Sequence, residues 1–308
     1  MKNKATINRD AVRTTSIGPA GPAGRTLVGV VALLLISEAF GGRALAISGG
    51  QVDTNNTFSN VGNLVFQSPG SEPGVGPSGT LIHPRVFLTA GHVTAILEQL
   101  PLPYIHISFG NYSLDSNTWH EIEAVITHPN YRDVGMNNPH YNDLGVVILK
   151  QPVENVPPAN LPYEGFLDDL RASGLLRKPG EGGTPFILTG YGSTQILIAG
   201  ARPHPFVLPM LIAENDGWRR FTQSDYLALN RAWLFNLCNP STGNGGAGYG
   251  DSGGPVFWRQ PGGTLVLAAV ISRGDPNLVA NDIAWRADIP ETLDFIDWVI
   301  NTALPTLP

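Results

Sequence analysis

The sequence predicts an all-β protein, a barrel or a sandwich, from three observations. Glycine (36) and proline (26) are abundant while only 14% of the 308 residues are charged, which suits short strands and turns better than long charged helices. Short apolar runs alternate with Gly, Pro, Ser and Asn clusters from Asn63 onward. No repeat of roughly 20–50 residues and no heptad pattern is present. With 42% hydrophobic residues the chain can bury a large core as one or two domains.

Residues 1–46 read as a signal peptide. Lys2, Lys4, Arg9, Arg13 and Arg25 face a single acid, Asp10, before the apolar run Thr26–Phe40. Ala44-Leu45-Ala46 then has the small-x-small form at which such leaders are cut. The run contains Glu38 and falls short of the roughly 20 apolar residues that a spanning helix needs. A leader retained as a membrane anchor is the alternative. Removing residues 1–46 takes away six of 19 basic and two of 25 acidic residues and leaves a net charge of −10. So acidic a chain argues against nucleic acid and stable membrane association, and for a soluble secreted protein, extracellular or periplasmic. Cys238 is the only cysteine; it excludes an intrachain disulfide and reads as a small buried hydrophobe.

The strands follow in order. "GNLVFQSPGSEPGVGPSGTLIHPRVFLTAGHV" gives two or three, "YIHISFGNYSLDSNTWHEIEAVITHPNY" two more and "DLGVVILKQPV" another. "FILTGYGS", "GGPVFWRQ", "TLVLAAVISRG" and "DIAWRAD" supply the second half. Tyr163–Lys178 is amphipathic and predicts a helix between two halves. The tail predicts another, with Pro290 as its first residue and Leu293, Ile296, Val299 and Ile300 on one face. Residues 195–245 hold Pro-rich loops without a clear pattern.

"GYGDSGGP" (248–255) is the most specific signal. A serine between an acid and two glycines describes a backbone bent around an exposed hydroxyl, and glycine tolerates the positive φ such a bend needs. A hydroxyl is a weak nucleophile and requires a base. "FLTAGHV" (87–93) supplies His92 just after an apolar strand. "HYNDLGVVILK" supplies Asp143 at the start of another, where a buried carboxylate needs a partner such as an imidazole. The residues around Ser252 do not fit the G-x-S-x-G elbow of α/β-hydrolases.

These three motifs, in the order His92, Asp143, Ser252 at intervals of 51 and 109 residues, resemble the chymotrypsin-like (trypsin-like) serine endopeptidases. "SGTLI", "THPNY" and "LTGYGS" are secondary landmarks of the same resemblance, which covers nearly all of residues 47–308. It implies two antiparallel Greek-key β-barrels packed side by side with a C-terminal α-helix. The first barrel, in residues 47–165, would carry the histidine and aspartate; the second, in 166–308, the serine. It further implies a monomer that hydrolyses protein or peptide substrates without a cofactor. Ser252 would be the nucleophile, His92 the base and Asp143 its orienting acid, with the amides of Gly250 and Ser252 as the oxyanion hole. The remaining histidines form no H-x-x-x-H pair, and no metal is expected. A protease fold that has lost activity and serves as a binding protein is the rival reading.

By the same resemblance Ile47 of "ISGG" would be the mature N-terminus, its freed amine pairing with Asp251. One cut after Ala46 would then both release and activate the protein. The specificity pocket would have Gly246 as its floor, with Ala247, Ser272 and Gly274 along it. Gly246 supplies no carboxylate for a Lys or Arg side chain. Ile283, aligned at the far wall, would make the pocket shallow and favour small or medium apolar side chains; a one-residue shift replaces Ile283 by Asp282. Arg273 takes the place of a channel-lining aromatic and either pairs with Asp275 or favours acidic substrate residues. Asn55 and Asn111 match glycosylation acceptors.

Overall fold

The protein is described by a computed structural model covering residue 47 and residues 50–132, 141–193, 195–199, 210–275 and 280–308, with 195–199 and 210–214 as backbone alone. The expected leader and Ser48-Gly49 of "ISGG" lie outside the described residues.

Strand β1 (Gln51–Val52) precedes six strands that close a barrel: β2 (Val61–Phe66), β3 (Gly74–His83), β4 (Val86–Thr89), β5 (Ile105–Ser108), β6 (Trp119–Thr127) and β7 (Gly145–Leu149), in the order β2-β3-β4-β7-β6-β5. A second antiparallel barrel uses β8 (Pro185–Gly190). A separate hairpin, β9 (Gln195–Ala199) with β10 (Met210–Glu214), follows it in sequence. The second barrel then continues through β11 (Arg220–Leu229), β12 (Trp233–Leu237), β13 (Pro255–Arg259), β14 (Leu265–Gly274) and β15 (Asn281–Arg286). It closes because β8 pairs with both β11 and β13. Full closure leaves few free strand edges, as expected of an antiparallel all-β design. β1 belongs to neither closure: Gln51 and Val52 pair with Phe221 and Arg220, so the segment just after Ile47 is laid along the second barrel.

Three apolar clusters hold this together. Leu64, Leu81, Phe87, Ile107, Val147 and Leu149 belong to the first barrel's own cluster. Phe186, Leu188, Leu234, Val256, Ala268 and Ile271 belong to the second's. The largest cluster draws on both barrels and the C-terminal helix, including Val61, Leu88, Tyr141, Trp233, Trp285 and Phe295. Burial of this kind contributes about 25 cal/mol per Å² of apolar surface removed from water.

Helix α1 (Gly91–Leu97) follows β4, α2 (Phe166–Ala172) joins the barrels, and α3 (Pro290–Trp298) ends the fold. α2 is shorter than the predicted span because Gly165 and Gly174, both at positive φ, bracket it. α3 begins at Pro290 as predicted, but its buried stripe is Thr292, Phe295, Ile296 and Val299. Leu293 and Ile300 are only half-buried.

Candidate active site

His92 and Asp143 come from neighbouring strands of the first barrel. β4 pairs with β7, Thr89 opposite Gly145, which brings the start of α1 beside the residues just before β7. Asn142 holds a left-handed φ of 46°, tolerable for asparagine, and delivers Asp143 inward with no exposed surface. The Asp143 carboxylate accepts the His92 backbone amide at 2.8 Å and stands 3.0–3.1 Å from its Nδ1. The Ser272 hydroxyl donates to Asp143 Oδ2 from β14 of the other barrel. Burial alone would push the Asp143 carboxyl up; the His92 ring and amide and the Ser272 hydroxyl more than offset it and hold it below its ordinary value.

Ser252 comes from the loop before β13, and its carbonyl accepts the Ser78 amide of β3 at 3.0 Å. Gly253, at φ 84°, has no room for a side chain: a Cβ there would lie 1.9 Å from the Thr89 hydroxyl and 2.8 Å from the Ala90 amide. The serine loop therefore packs onto the residues that lead into His92. The loop is braced again where the Ser78 hydroxyl donates to the Gly250 carbonyl at 2.9 Å and accepts the Tyr191 amide at 3.0 Å. Ser78 was not singled out from sequence; its place just ahead of "GTLI" was the available signal. The amides of Gly250 and Ser252 donate to no group among the described residues, leaving both available to a bound oxygen.

Asp251 is fully buried and accepts the Gly192 amide at 2.8 Å and the Gly248 amide at 2.7 Å. Burial raises its pKa to about 7; the two amides and the Arg220 charge moderate that rise. Ile47 is buried too, at a φ of 48° that is unfavourable for a β-branched residue.

The expected pocket residues separate. Gly246, Ala247 and Gly274 gather around the carboxylate of Asp282, while Ser272 faces Asp143. Ile283 does not line that space. Strand alternation puts it on the Trp285 face of β15, in the cluster shared by both barrels, and the expected far-wall role is corrected accordingly. Arg273 packs its guanidinium over the Tyr141 ring at 4.4 Å and makes no ion pair among the described residues. Asn215 at the end of the β9–β10 hairpin stands beside Gly250.

A deeper ion pair was missed from sequence. Arg219, without exposed surface, donates to Asp53 at 2.9 Å, to the carbonyls of Val61 and Phe109, to the Tyr191 hydroxyl and to Asn56. It ties the N-terminal segment to both barrels, and only the pairing makes so buried a charge tolerable.

The family model for trypsin matches residues 47–195. A venom serine protease of Polistes dominula is 28% identical over 230 residues, 71% of this chain and 73% of that protein. Venom serine protease 34 of Apis mellifera is 25% identical over 241 residues, 75% of this chain but 52% of its own length. An inactive CLIP domain-containing serine protease A8 of Anopheles gambiae is 29% identical over 210 residues, 64% of this chain and 51% of that protein. Two closed antiparallel barrels, a C-terminal helix and these matches define a chymotrypsin-like fold. The matches support a chymotrypsin-like serine protease family for this chain.

Proposed function

We propose that the protein is a secreted serine endopeptidase that cleaves peptide bonds through an acyl-enzyme on Ser252. The observation that carries this reading is the Asp143 carboxylate held against His92 Nδ1 at 3.0 Å, with the Ser252 loop packed on the residues leading into His92. Asp143 fixes the tautomer in which Nδ1 carries the proton, leaving Nε2 as the basic nitrogen. His92 takes the Ser252 proton as the hydroxyl oxygen attacks the substrate carbonyl. The Gly250 and Ser252 amides receive the oxyanion, each such donor being commonly worth about 3 kcal/mol. His92 then hands its proton to the departing amine, and water repeats the sequence to release the acyl group.

Export fits the leader-like residues 1–46, and among the described residues no helix is long and apolar enough to cross a membrane. A cut after Ala46 would free the Ile47 amine for Asp251, whose buried carboxylate makes no ion pair among the described residues.

The binding-protein reading draws on the relative named as inactive, yet this chain keeps His92, Asp143 and Ser252. Peptide hydrolysis by a chain beginning at Ile47, against its Ser252→Ala variant, separates the two. Turnover that vanishes in the variant supports the protease; equal rates, or none in either, support a binding role.

A further inference from the structure

We propose that Ser78 is a positioning residue of the catalytic centre, holding from the first barrel the two residues whose amides receive the oxyanion. This rests on the protease reading above and adds to it a residue outside the His92, Asp143 and Ser252 set.

Ser78 lies on β3 without exposed surface, and its main chain and side chain are all committed to the site. Its amide donates to the Ser252 carbonyl at 3.0 Å, and its hydroxyl donates to the Gly250 carbonyl at 2.9 Å. Its own carbonyl accepts the Thr89 hydroxyl at 2.8 Å, three residues before His92. One residue thus joins the strand that leads to the base, the main chain of the nucleophile and the oxyanion glycine.

The hydroxyl has a fixed direction. Its oxygen accepts the amide of Tyr191, itself without exposed surface, at 3.0 Å, so its hydrogen is left to point at Gly250. Tyr191 is followed by Gly192, whose amide donates to Asp251 at 2.8 Å. The same hydroxyl therefore meets the segment that holds the buried acid next to Ser252.

Gly250 needs such a hold. At φ 99° and without a side chain it rotates freely, so the direction of its N–H depends on what grips the peptides on either side. On the preceding side the Tyr249 carbonyl accepts the Ser193 amide at 2.6 Å. On the following side the Asp251 amide turns back to the Gly248 carbonyl at 3.1 Å, within the loop itself. The Ser78 hydroxyl supplies the hold from the body of the protein.

Ser78→Ala leaves the Gly250 carbonyl and the Tyr191 amide without this partner, while the main-chain bond to Ser252 remains. The nucleophile stays in place and one oxyanion donor loses its aim. Because the oxyanion exists only once Ser252 has added to the carbonyl, the loss falls on the transition state and not on substrate binding.

The test compares the chain beginning at Ile47 with its Ser78→Ala and Ser78→Cys variants on a peptide chosen from a library digest by wild type. Ser224→Ala is the control, a buried serine of β11 whose hydroxyl donates to the Leu237 carbonyl at 2.7 Å. Thermal unfolding confirms that each variant is folded; Ser78→Cys, which keeps the volume with a weak donor, carries the test if Ser78→Ala does not fold. Ser78→Ala is expected to lower kcat about 10- to 100-fold with KM unchanged, Ser78→Cys to lower it less, and Ser224→Ala to leave it unmoved. A trifluoromethyl ketone of the same peptide reads the oxyanion directly. The Ser252 oxygen adds to its carbonyl carbon, the Ser252 proton passes to His92, and the ketone oxygen takes the negative charge. Its inhibition constant is expected to rise by the same factor in Ser78→Ala, while that of the matching alcohol, which forms no adduct, stays fixed. A Ser78 variant with wild-type kcat, a loss carried by KM, equal weakening of ketone and alcohol, or an equal loss in Ser224→Ala overturns the assignment. Wild type without turnover removes the protease reading and this role with it; an active wild type matched by Ser78→Ala removes this role alone.

Discussion

One carboxylate, Asp143, grips His92 twice, accepting its backbone amide at 2.8 Å while facing its ring nitrogen at 3.0 Å. Main chain and imidazole are thereby oriented by the same buried group. Asp143→Asn keeps the shape but offers an amide where the ring needs an acceptor. The expected result is a fall in kcat of about 10⁴-fold with little change in KM, read by steady-state kinetics on a peptide substrate.

Ser272 reaches the same carboxylate from the second barrel. Ser272→Ala removes one hydrogen bond to a charged acceptor and leaves the His92 contacts in place. A loss of about tenfold in kcat/KM is expected, carried by kcat. Because that hydroxyl helps hold the Asp143 carboxyl below its ordinary value, the acid limb of the pH–rate profile should also move to higher pH.

Asp251 makes the uncut chain sensitive to pH. Its folded pKa of about 7 exceeds the ordinary carboxylate value, so the folded state binds the proton more tightly than the unfolded state does. Stability from this group is full at acid pH and is lost as pH rises from about 4 to about 7, by on the order of 4 kcal/mol. On the proposed activation, a chain starting at Ile47 would bring an ammonium to the site, with no preceding peptide to hold Ile47 at positive φ. Denaturant melts from pH 4 to pH 7.5 should therefore show the uncut chain losing stability and the Ile47 chain largely keeping it. Parallel curves would remove the proposed ion pair.

Arg219 and Asp53 are expected to matter for stability rather than for chemistry. Arg219→Ala takes the counter-charge from the buried Asp53 carboxylate and a donor from Val61, Phe109, Tyr191 and Asn56 at the junction of the N-terminal segment with both barrels. A loss of about 3–5 kcal/mol is expected in urea unfolding. Asp53→Asn keeps the shape but leaves the buried Arg219 charge without its counter-charge, and should cost a similar amount.

The parts of this fold most legible in sequence are those where chemistry restricts residue type. The motifs around His92, Asp143 and Ser252 combine a reactive side chain with glycines that the backbone requires, and the short strands announce themselves through their turns. The pocket wall was less legible. "NDIAWRAD" alternates without a marker of phase, so Ile283 and Asp282 are interchangeable until Trp285 takes the core face and the bulge in β14 fixes the register. Arg219 was hidden for a different reason. In "GWRR" nothing distinguishes the arginine that goes inside, because its partners Asp53, Asn56 and Tyr191 are 28 to 166 residues away.

The central claim, that Ser252 is an activated nucleophile, is tested most directly by active-site titration. The chain beginning at Ile47 is mixed with a fluorophosphonate and digested, and the peptide containing Ser252 is weighed. The account predicts one phosphonyl group on Ser252, near one per molecule, with labelling greatly slowed by His92→Ala. An unlabelled Ser252 in folded protein, or labelling indifferent to His92, would contradict it.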